Sequence, residues 1–193
     1  MTIFGPLFGG DKIDAALLGV LNEWMPTFLR AVADDRELDE LEAPRSIVAV
    51  SEFARFPEAQ LPAIVVVNSG TDTPTERPGH YDAKWPIEIC VETSAATQPE
   101  VRRNAQLYLI AAREAILRKR SLGEGMKGTD WGGETYDLVD VDKRRSIAGA
   151  KATFVLEREN VAQIGGGPVK PDEEPYADWA TVEYPEVTVT KTN

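Results

Sequence analysis

The amino-acid sequence predicts an α+β domain, with a mixed, mostly antiparallel sheet of about four to five strands packed against two main helices. Two segments place apolar residues at three- and four-residue steps, which is typical of amphipathic helices. The β-branched segments that predict strands occur in groups, one group between the two helices and one after the second. The predicted order is α-β-β-β-α-β-β, which differs from the repeated βαβ pattern of a parallel sheet.

The first predicted helix covers Asp11 to about Val32, where apolar side chains recur at helical spacing. Pro26 lies inside it, and because an interior proline removes a helical hydrogen bond, we expect a kink or two shorter helices. Two β-branched runs, bounded by proline and glycine, then predict strands at Arg45–Phe53 and Leu61–Gly70. The second run is apolar through its centre, which indicates a strand covered on both faces.

A turn-rich segment, Asn68–His80, predicts a long loop before the third strand, Ala83–Ala95. Pro86 cannot donate to a ladder, so we expect it at the start of this strand or on an edge. The strand alternates between two faces: Trp85, Ile87, Ile89 and Val91 against Glu88, Cys90 and Glu92. This alternation predicts a half-buried strand with both carboxylates on a solvated face and the cysteine as a buried small hydrophobe.

The second predicted helix begins with a capping box, in which Thr97 is followed three residues later by Glu100. Its apolar stripe continues to about Arg120, and the basic residues at its end favour the carboxyl terminus of a helix. The junction between the third strand and this helix, a common place for active sites in α/β enzymes, carries nothing catalytic. Capping explains its threonine and serine residues.

The remainder of the domain is predicted as a loop followed by a hairpin. The glycine-rich segment Gly123–Glu134 predicts the loop. Two strand-like runs, "TYDLVDVD" and "AGAKATFVLEREN", are joined around Lys143–Ser146 and place Phe154 and Leu156 on one face.

The chain is expected to divide into a folded domain, 1–163, and an acidic, Pro/Gly-rich C-terminal arm, 164–193. From Gly165 onward the arm carries six acidic residues against two lysines. It ends in "TVEYPEVTVT", an alternating run typical of a strand, and adding a strand to another chain's sheet edge is a known docking mode. Two alternatives stay open: the arm docks on a neighbouring copy, or it packs on its own domain.

Charge and rare residue types exclude several classes of function. The 193-residue chain has a formal net charge of −11, which argues against gripping nucleic acid, since phosphate contacts need a basic patch. One cysteine leaves no internal disulfide, and one histidine rules out a His-rich metal site and nearly excludes a Ser-His-Asp triad. Neither a GxxxxGK[ST] loop nor a dinucleotide fingerprint is present, so no cofactor is predicted. No apolar run suits a membrane span, and no signal peptide is recognised, so we expect folding in the cytosol.

Seven phrases spread through the chain carry a family resemblance. They are "LNEWMPTFLRAV", "LPAIVVVNSG", "GHYDAKWPIEICVETSA", "NAQLYLIAAREAI", "SLG", "WGGETYD" and "RRSIAGAKATFVLERENV", which together cover about residues 13–163. In this order and spacing they resemble the tail-terminator proteins of long, non-contractile-tailed (siphovirus-type) actinobacteriophages. The arm carries no such resemblance.

The resemblance implies a structural virion protein without catalytic residues. Such proteins assemble as a hexameric ring that caps the tail tube and joins the tail to the head–tail connector. The implied location is the tail-neck region of the virion, with assembly in the host cytoplasm. DNA would pass through the lumen without specific binding, and an acidic chain suits that passage. The alternatives are another neck component (a head-completion or tail-completion protein), a tail-tube subunit, and a hydrolase that uses Glu88 or Glu92.

Three regions are expected to form interfaces: the two long loops, facing the tube or the connector, and the arm, clasping a neighbour. Exposed aromatic residues in them are natural anchors. The candidate interface residues are Asp72, Arg77, His80, Tyr81, Trp131, Tyr176, Trp179 and Tyr184.

Overall fold

A computed structural model describes residues 9–52, 55–118, 122, 126–141 and 146–163. The elements, in chain order, are α1 (Gly10–Asp35), β1 (Ser46–Val50), β2 (Ala63–Asn68), β3 (Thr75–Arg77), β4 (His80–Ala95), α2 (Gln98–Arg118), β5 (Met126–Val141) and β6 (Ser146–Gln163). A 3-10 turn, Glu58–Gln60, lies between β1 and β2. Two helices and a mixed, mostly antiparallel sheet confirm the predicted α+β fold, with one more strand before α2 than predicted. The C-terminal arm lies outside the described residues.

The sheet has the strand order β1-β2-β4-β6-β5, and β3 pairs with the start of β4. β1 and β2 run parallel, whereas the other pairs are antiparallel. Parallel neighbours cannot be joined by a tight turn. Their connection crosses one face of the sheet, where Phe56 packs against Val65 and Val67. The predicted central strand, β2, is therefore covered on both faces.

Both helices pack on the other face of the sheet and form the main core. The predicted apolar face of β4 lies there, and the inward side of β6 contributes Ala148, Ala150 and Ala152, followed by Phe154 and Leu156. α2 contacts both of these strands. The run of alanines on β6 leaves room for a helix at close range.

α1 continues unbroken through Pro26, so the predicted division into two helices is wrong. Its inner stripe is buried along the whole length: Ile13, Leu17, Leu21, Met25, Leu29, Val32 and Ala33. Burying each large apolar side chain stabilises by about 1.5–3 kcal/mol. That sum exceeds the cost of one interior proline, about 3 kcal/mol.

Pro86 lies inside the 16-residue strand β4 and not at its start. The ladder between β2 and β4 ends at the pair Asn68–Ile87. Among the described strands, β6 is the only partner of β4 at Pro86. One side of β4 is thus an edge at this position, where a residue without an N–H is tolerated.

The predicted loop Asn68–His80 contains a short hairpin. β3 pairs with the first residues of β4, in the register Thr75–Asp82 to Arg77–His80. Gly79 takes φ +81 in the turn, a conformation that glycine adopts without strain.

The predicted loop Gly123–Glu134 is wrong from Met126 onward, where β5 begins. Its glycines lie within the ladder, at register shifts between Met126 and Gly128 and between Trp131 and Gly133. Glycines inside strands mark bulges and close approaches of neighbouring groups, so here they belong to an irregular strand.

Candidate interaction surfaces

A cleft of about 970 Å³ lies at the junction between β4 and α2. Its walls are the α1–β1 connection, the 3-10 turn and the first turns of α2. The charged lining is mostly acidic: Asp39, Glu40, Glu42, Glu58 and Glu100 against Arg45 and Arg103. Within the described chain, no group of three or more His, Cys, Asp or Glu side chains could hold a metal ion.

The polar groups at this junction hold the chain together. The Thr93 hydroxyl donates to the Val101 carbonyl at 3.1 Å, and the Tyr108 hydroxyl donates to the Glu42 carbonyl at 2.5 Å. Burial raises the pKa of Tyr108 to about 12, so the phenol keeps its proton at neutral pH. These contacts support the interpretation of the junction as scaffold.

The two carboxylates on the outer face of β4 have different surroundings. Glu88 forms an ion pair with Lys151 at 2.7 Å, and its side chain is 40% exposed. Glu92 is only 1% exposed, and its Oε2 atom accepts the backbone N–H of Phe56 at 3.0 Å. The predicted solvated face is therefore wrong for Glu92, because the connection between β1 and β2 covers it.

The spacing of Glu88 and Glu92 does not favour the hydrolase alternative. Four residues along a strand span about 13 Å, whereas the paired carboxylates of glycoside hydrolysis stand about 5–9.5 Å apart. Cys90 lies between them and is buried. Burial, followed by the charge of Glu88, raises the pKa of the Cys90 thiol to about 11, so it is protonated at neutral pH.

The β3–β4 hairpin carries an ionic cluster centred on Asp82. One carboxylate oxygen accepts the backbone N–H of Asn160 at 3.0 Å and lies 3.2 Å from the His80 Nε2 atom. The other oxygen accepts from the Arg77 Nε atom at 3.4 Å. The hydrogen bond from Asn160, helped by Arg77, lowers the pKa of Asp82. The cluster fixes the hairpin against β6.

Four of the predicted interface residues share this hairpin region, which we call the hairpin surface: Asp72, Arg77, His80 and Tyr81. Asp72 is exposed, and its backbone N–H donates to the Lys84 carbonyl at 2.9 Å. Tyr81 is half-buried and pairs with Ala162 of β6. Three further candidates lie outside the described residues: Tyr176, Trp179 and Tyr184.

A second cluster lies where β5 meets α2. Trp131 is 47% exposed, and the Arg113 guanidinium stacks on it, 4.9 Å from the ring centroid. Arg113 also binds the Glu134 carboxylate at 2.8 Å, and Tyr136, 37% exposed, donates its hydroxyl to the same carboxylate. Burial, with Glu134, raises the pKa of Tyr136 to about 12. We call these four residues the β5 edge surface.

Sequence reasoning found Trp131 but missed the other three residues of this surface. An unbroken strand would place Trp131 and Tyr136, five residues apart, on opposite faces. The register shift between Trp131 and Gly133 inserts one extra residue and brings both rings to the helix side. The dipeptide Gly132–Gly133 was the only sequence signal of this shift.

The hairpin surface and the β5 edge surface are separate. Trp131 pairs with Phe154, and Phe154 pairs with Ile87. His80 is seven residues from Ile87 along β4, a distance of about 23 Å. The predicted interface residues therefore fall on two regions of the domain and do not form one site.

Neither described helix has the combination of length and apolar character needed to cross a membrane. No protein-family model matches the chain, and no curated protein matches it. Among solved structures, a chain of "Virion of native gene transfer agent (GTA) particle" is similar over 74% of this chain and 96% of its own length. The two share 19% identical residues, with a TM-score of 0.42. At that identity and TM-score, the likeness carries no argument about function.

Proposed function

We propose that this chain is a structural protein of a phage-like virion, with the finer role of a tail terminator. The observation that carries the proposal is the position of the resembling phrases in the fold. Six of the seven fall, in order, on α1, β2, β4, α2, β5 and β6. The resemblance therefore extends over both helices and four of the six strands of the described fold, which supports the proposal.

In the proposed role, copies of the chain form a ring, most simply a hexamer, that ends the tail tube and joins it to the head–tail connector. A ring needs two different surfaces on each subunit, because its contacts run head to tail. β1 and β5 are the opposite edges of the sheet and offer two such surfaces.

The edge strand β5 supports assembly with a partner. It has 16 residues, and no described element pairs with its outer side. Long uncovered edges invite pairing with other chains, and monomeric proteins commonly blunt or cover them. Trp, Tyr and Arg, which are enriched at interaction hot spots, lie together on this strand and the adjacent helix.

The charge of the chain supports a lumen for DNA. Each copy contributes a net charge of −11, so a ring of several copies is strongly negative. A negative lumen repels phosphate, which lets DNA slide without binding.

The test is the mass of the full chain in solution, alone and with its cognate tail-tube protein, with electron micrographs of both. We expect closed rings, or tubes of limited length capped at one end. Open filaments from this chain alone would make it a tube subunit. A chain that ignores tube protein and binds only the connector would belong to the head side of the neck. Either result would contradict the terminator role.

A variant pair sharpens this test. Replacing Trp131 and Tyr136 by alanine removes the aromatic part of the β5 edge surface, and we expect loss of rings and caps. The matched control replaces Asp130 and Thr135, exposed residues on the opposite face of the same strand. If the first variant still forms rings, the β5 edge surface is not part of the interface between copies.

A further inference from the structure

A groove of about 520 Å³ lies between α2 and β5, which we call the α2–β5 groove. Arg102, Arg103 and Gln106 line it from the helix, and Tyr136 and Asp137 line it from the strand. It begins beside the first turns of α2 and is distinct from the acidic cleft at the β4–α2 junction, although Pro99 and Arg103 border both.

The groove continues toward the β5 edge surface. α2 and β5 run in opposite directions, since Arg103 faces Tyr136 whereas Arg113 contacts Glu134 and Trp131. Ten residues of helix separate the two arginines, a rise of about 15 Å. This length fits about five residues of an extended peptide. Tyr136 lines the groove on the strand side, and Trp131 lies beyond it on the same strand, with arginines on the helix side.

Arg102 and Arg103 are exposed, and neither makes an ion pair in the part of the chain that the structure describes. Arg113, by contrast, is bound to Glu114 and Glu134. Two adjacent guanidinium groups without carboxylate partners stand out in a chain of net charge −11. Guanidinium groups bind carboxylates in paired, directional hydrogen bonds. The groove therefore suits a peptide with acidic and aromatic side chains.

We propose that the α2–β5 groove binds about five residues at a time of the acidic segment Pro171–Tyr184, from the C-terminal arm of a second copy of this chain. The segment reads "PDEEPYADWATVEY" and combines a run of three carboxylates with three aromatic residues. Its charge complements Arg102 and Arg103, and its aromatic residues match Trp131 and Tyr136. The inference rests on the proposed function only in needing a neighbouring copy, and it names the surface that receives the arm.

The reach of the arm favours a neighbour over the same subunit. β6 ends at Gln163, and Tyr136 in the groove pairs with Ala150, thirteen residues earlier on β6. That separation is about 43 Å along the strand. Asp172 and Glu174 follow Gln163 by nine and eleven residues and reach at most about 32 and 40 Å when fully extended. Asp172 therefore falls short of its own groove, whereas Glu174 and the residues after it come within side-chain reach, so the whole acidic run can occupy the groove only of a second copy.

A labelled peptide of residues 168–186, titrated onto the full chain at low concentration, tests the groove. The variant R102E/R103E should bind it at least about tenfold more weakly, since each attraction becomes a repulsion. The control K12E/R30E makes the same change of charge at exposed positions on α1 and should bind like the wild type. Both altered arginines are exposed and make no ion pair within the described residues, so we expect the fold to be preserved.

A charge exchange within the full chain tests whether the arm comes from a second copy. R102E/R103E should weaken self-association, measured by sedimentation, and adding D172K/E173K/E174K to the same chain should restore it. Equal peptide binding by R102E/R103E and the wild type would overturn the groove. Peptide binding restricted to a chain that stays monomeric at all concentrations would place the arm on its own domain and overturn the proposal.

Capping of tail tubes by the wild-type chain separates this inference from the proposed function. If the chain caps tubes but the peptide does not bind, the terminator role is supported and the proposal that the groove binds the arm is refuted. If peptide binding and self-association depend on charge but no tube is capped, binding of the arm in the groove is supported and the terminator role is refuted.

Discussion

Replacing Ala152 by leucine tests how closely α2 lies on β6. Ala152 is fully buried in the core that both helices share, together with Ala111, Ala112 and Ala115 of α2. Leucine adds three carbons. With room available, their burial would stabilise the fold by about 0.8 kcal/mol each. In an interior packed to crystal density, however, added carbons force side chains and backbone to shift, at a cost of about 1–3 kcal/mol.

We expect the steric cost to exceed the gain from burial, because buried alanines on both β6 and α2 belong to the same packed core. The free energy of unfolding should fall by about 1–3 kcal/mol. In a domain of this size, a loss of 2 kcal/mol lowers the melting temperature by about 4–8 °C. The measurement is urea unfolding of both proteins, followed by circular dichroism, with the melting temperature as a second readout.

The matched control is Ala162→Leu, which makes the same substitution on the same strand at an exposed position. We expect a change within about 0.5 kcal/mol there. An Ala152→Leu protein as stable as the wild type, or more stable, would refute the reasoning, because it would mean that space remains between helix and sheet.

Three further predictions concern single residues. Gly132→Ala places a Cβ atom 2.8 Å from the Thr153 hydroxyl oxygen, and forcing that side chain off its rotamer should cost about 0.5–1.5 kcal/mol; Gly128→Ala, where nothing lies within 4 Å, is the control. The Cys90 thiol, with its pKa raised to about 11, should resist a thiol reagent at pH 8 until the protein unfolds. The pKa of Asp82 is lower in the folded protein than in the unfolded chain, where it is about 3.9. The Asp82 carboxylate therefore stabilises the fold fully above the unfolded pKa, and this stabilisation is lost as the pH falls through the folded pKa. The difference in urea midpoint between wild type and Asp82→Asn should therefore shrink below about pH 4.

Each of these has a contradicting result. Equal unfolding free energies for Gly132→Ala and Gly128→Ala would show that Thr153 rotates away without cost. Modification of Cys90 at the rate of a free thiol in native buffer would contradict its burial. A difference in urea midpoint between wild type and Asp82→Asn that stays constant from pH 6 to pH 2.5 would show that Asp82 does not contribute to the loss of stability in acid.

The elements that the sequence predicts well are those whose signal is local and complete. α2 begins at Gln98, directly after the predicted cap Thr97, and its predicted stripe is buried. The apolar face of β4 is buried as predicted because alternation along a single strand decides it. In both, neighbouring residues alone carry the information.

The errors arise where a distant segment decides the outcome. Glu92 is buried by a connection whose contact, Phe56, lies 36 residues away in sequence. Pro26 stays inside a continuous helix because the whole length of α1 is buried against the sheet and α2. Neither effect has a local pattern, since the deciding free energy comes from tertiary packing.

The candidate site shows the same limit. Trp131 stood out in the sequence as an aromatic residue in a glycine-rich segment. Arg113 lies on another element, and no spacing rule connects it to Trp131 across the gap between α2 and β5. Tyr136 lies on the same strand as Trp131, but simple alternation predicts the wrong face for it. The α2–β5 groove likewise exists only when helix and edge strand are side by side.

The first half of β5, predicted as a loop, and the surface it carries have one physical cause. Glycines in the segment 128–133 are loop signals in a sequence, and in the sheet they permit a bulge at Gly133, whose φ of +126 is unfavourable for other residues. That bulge adds one residue between Trp131 and Tyr136 and turns both rings toward α2, beside Arg113. A regular strand would have been easier to predict, but it would have placed one of the two rings on the opposite face. It follows that a change restoring regular alternation in β5 should disrupt the surface even though the strand itself remains paired with β6.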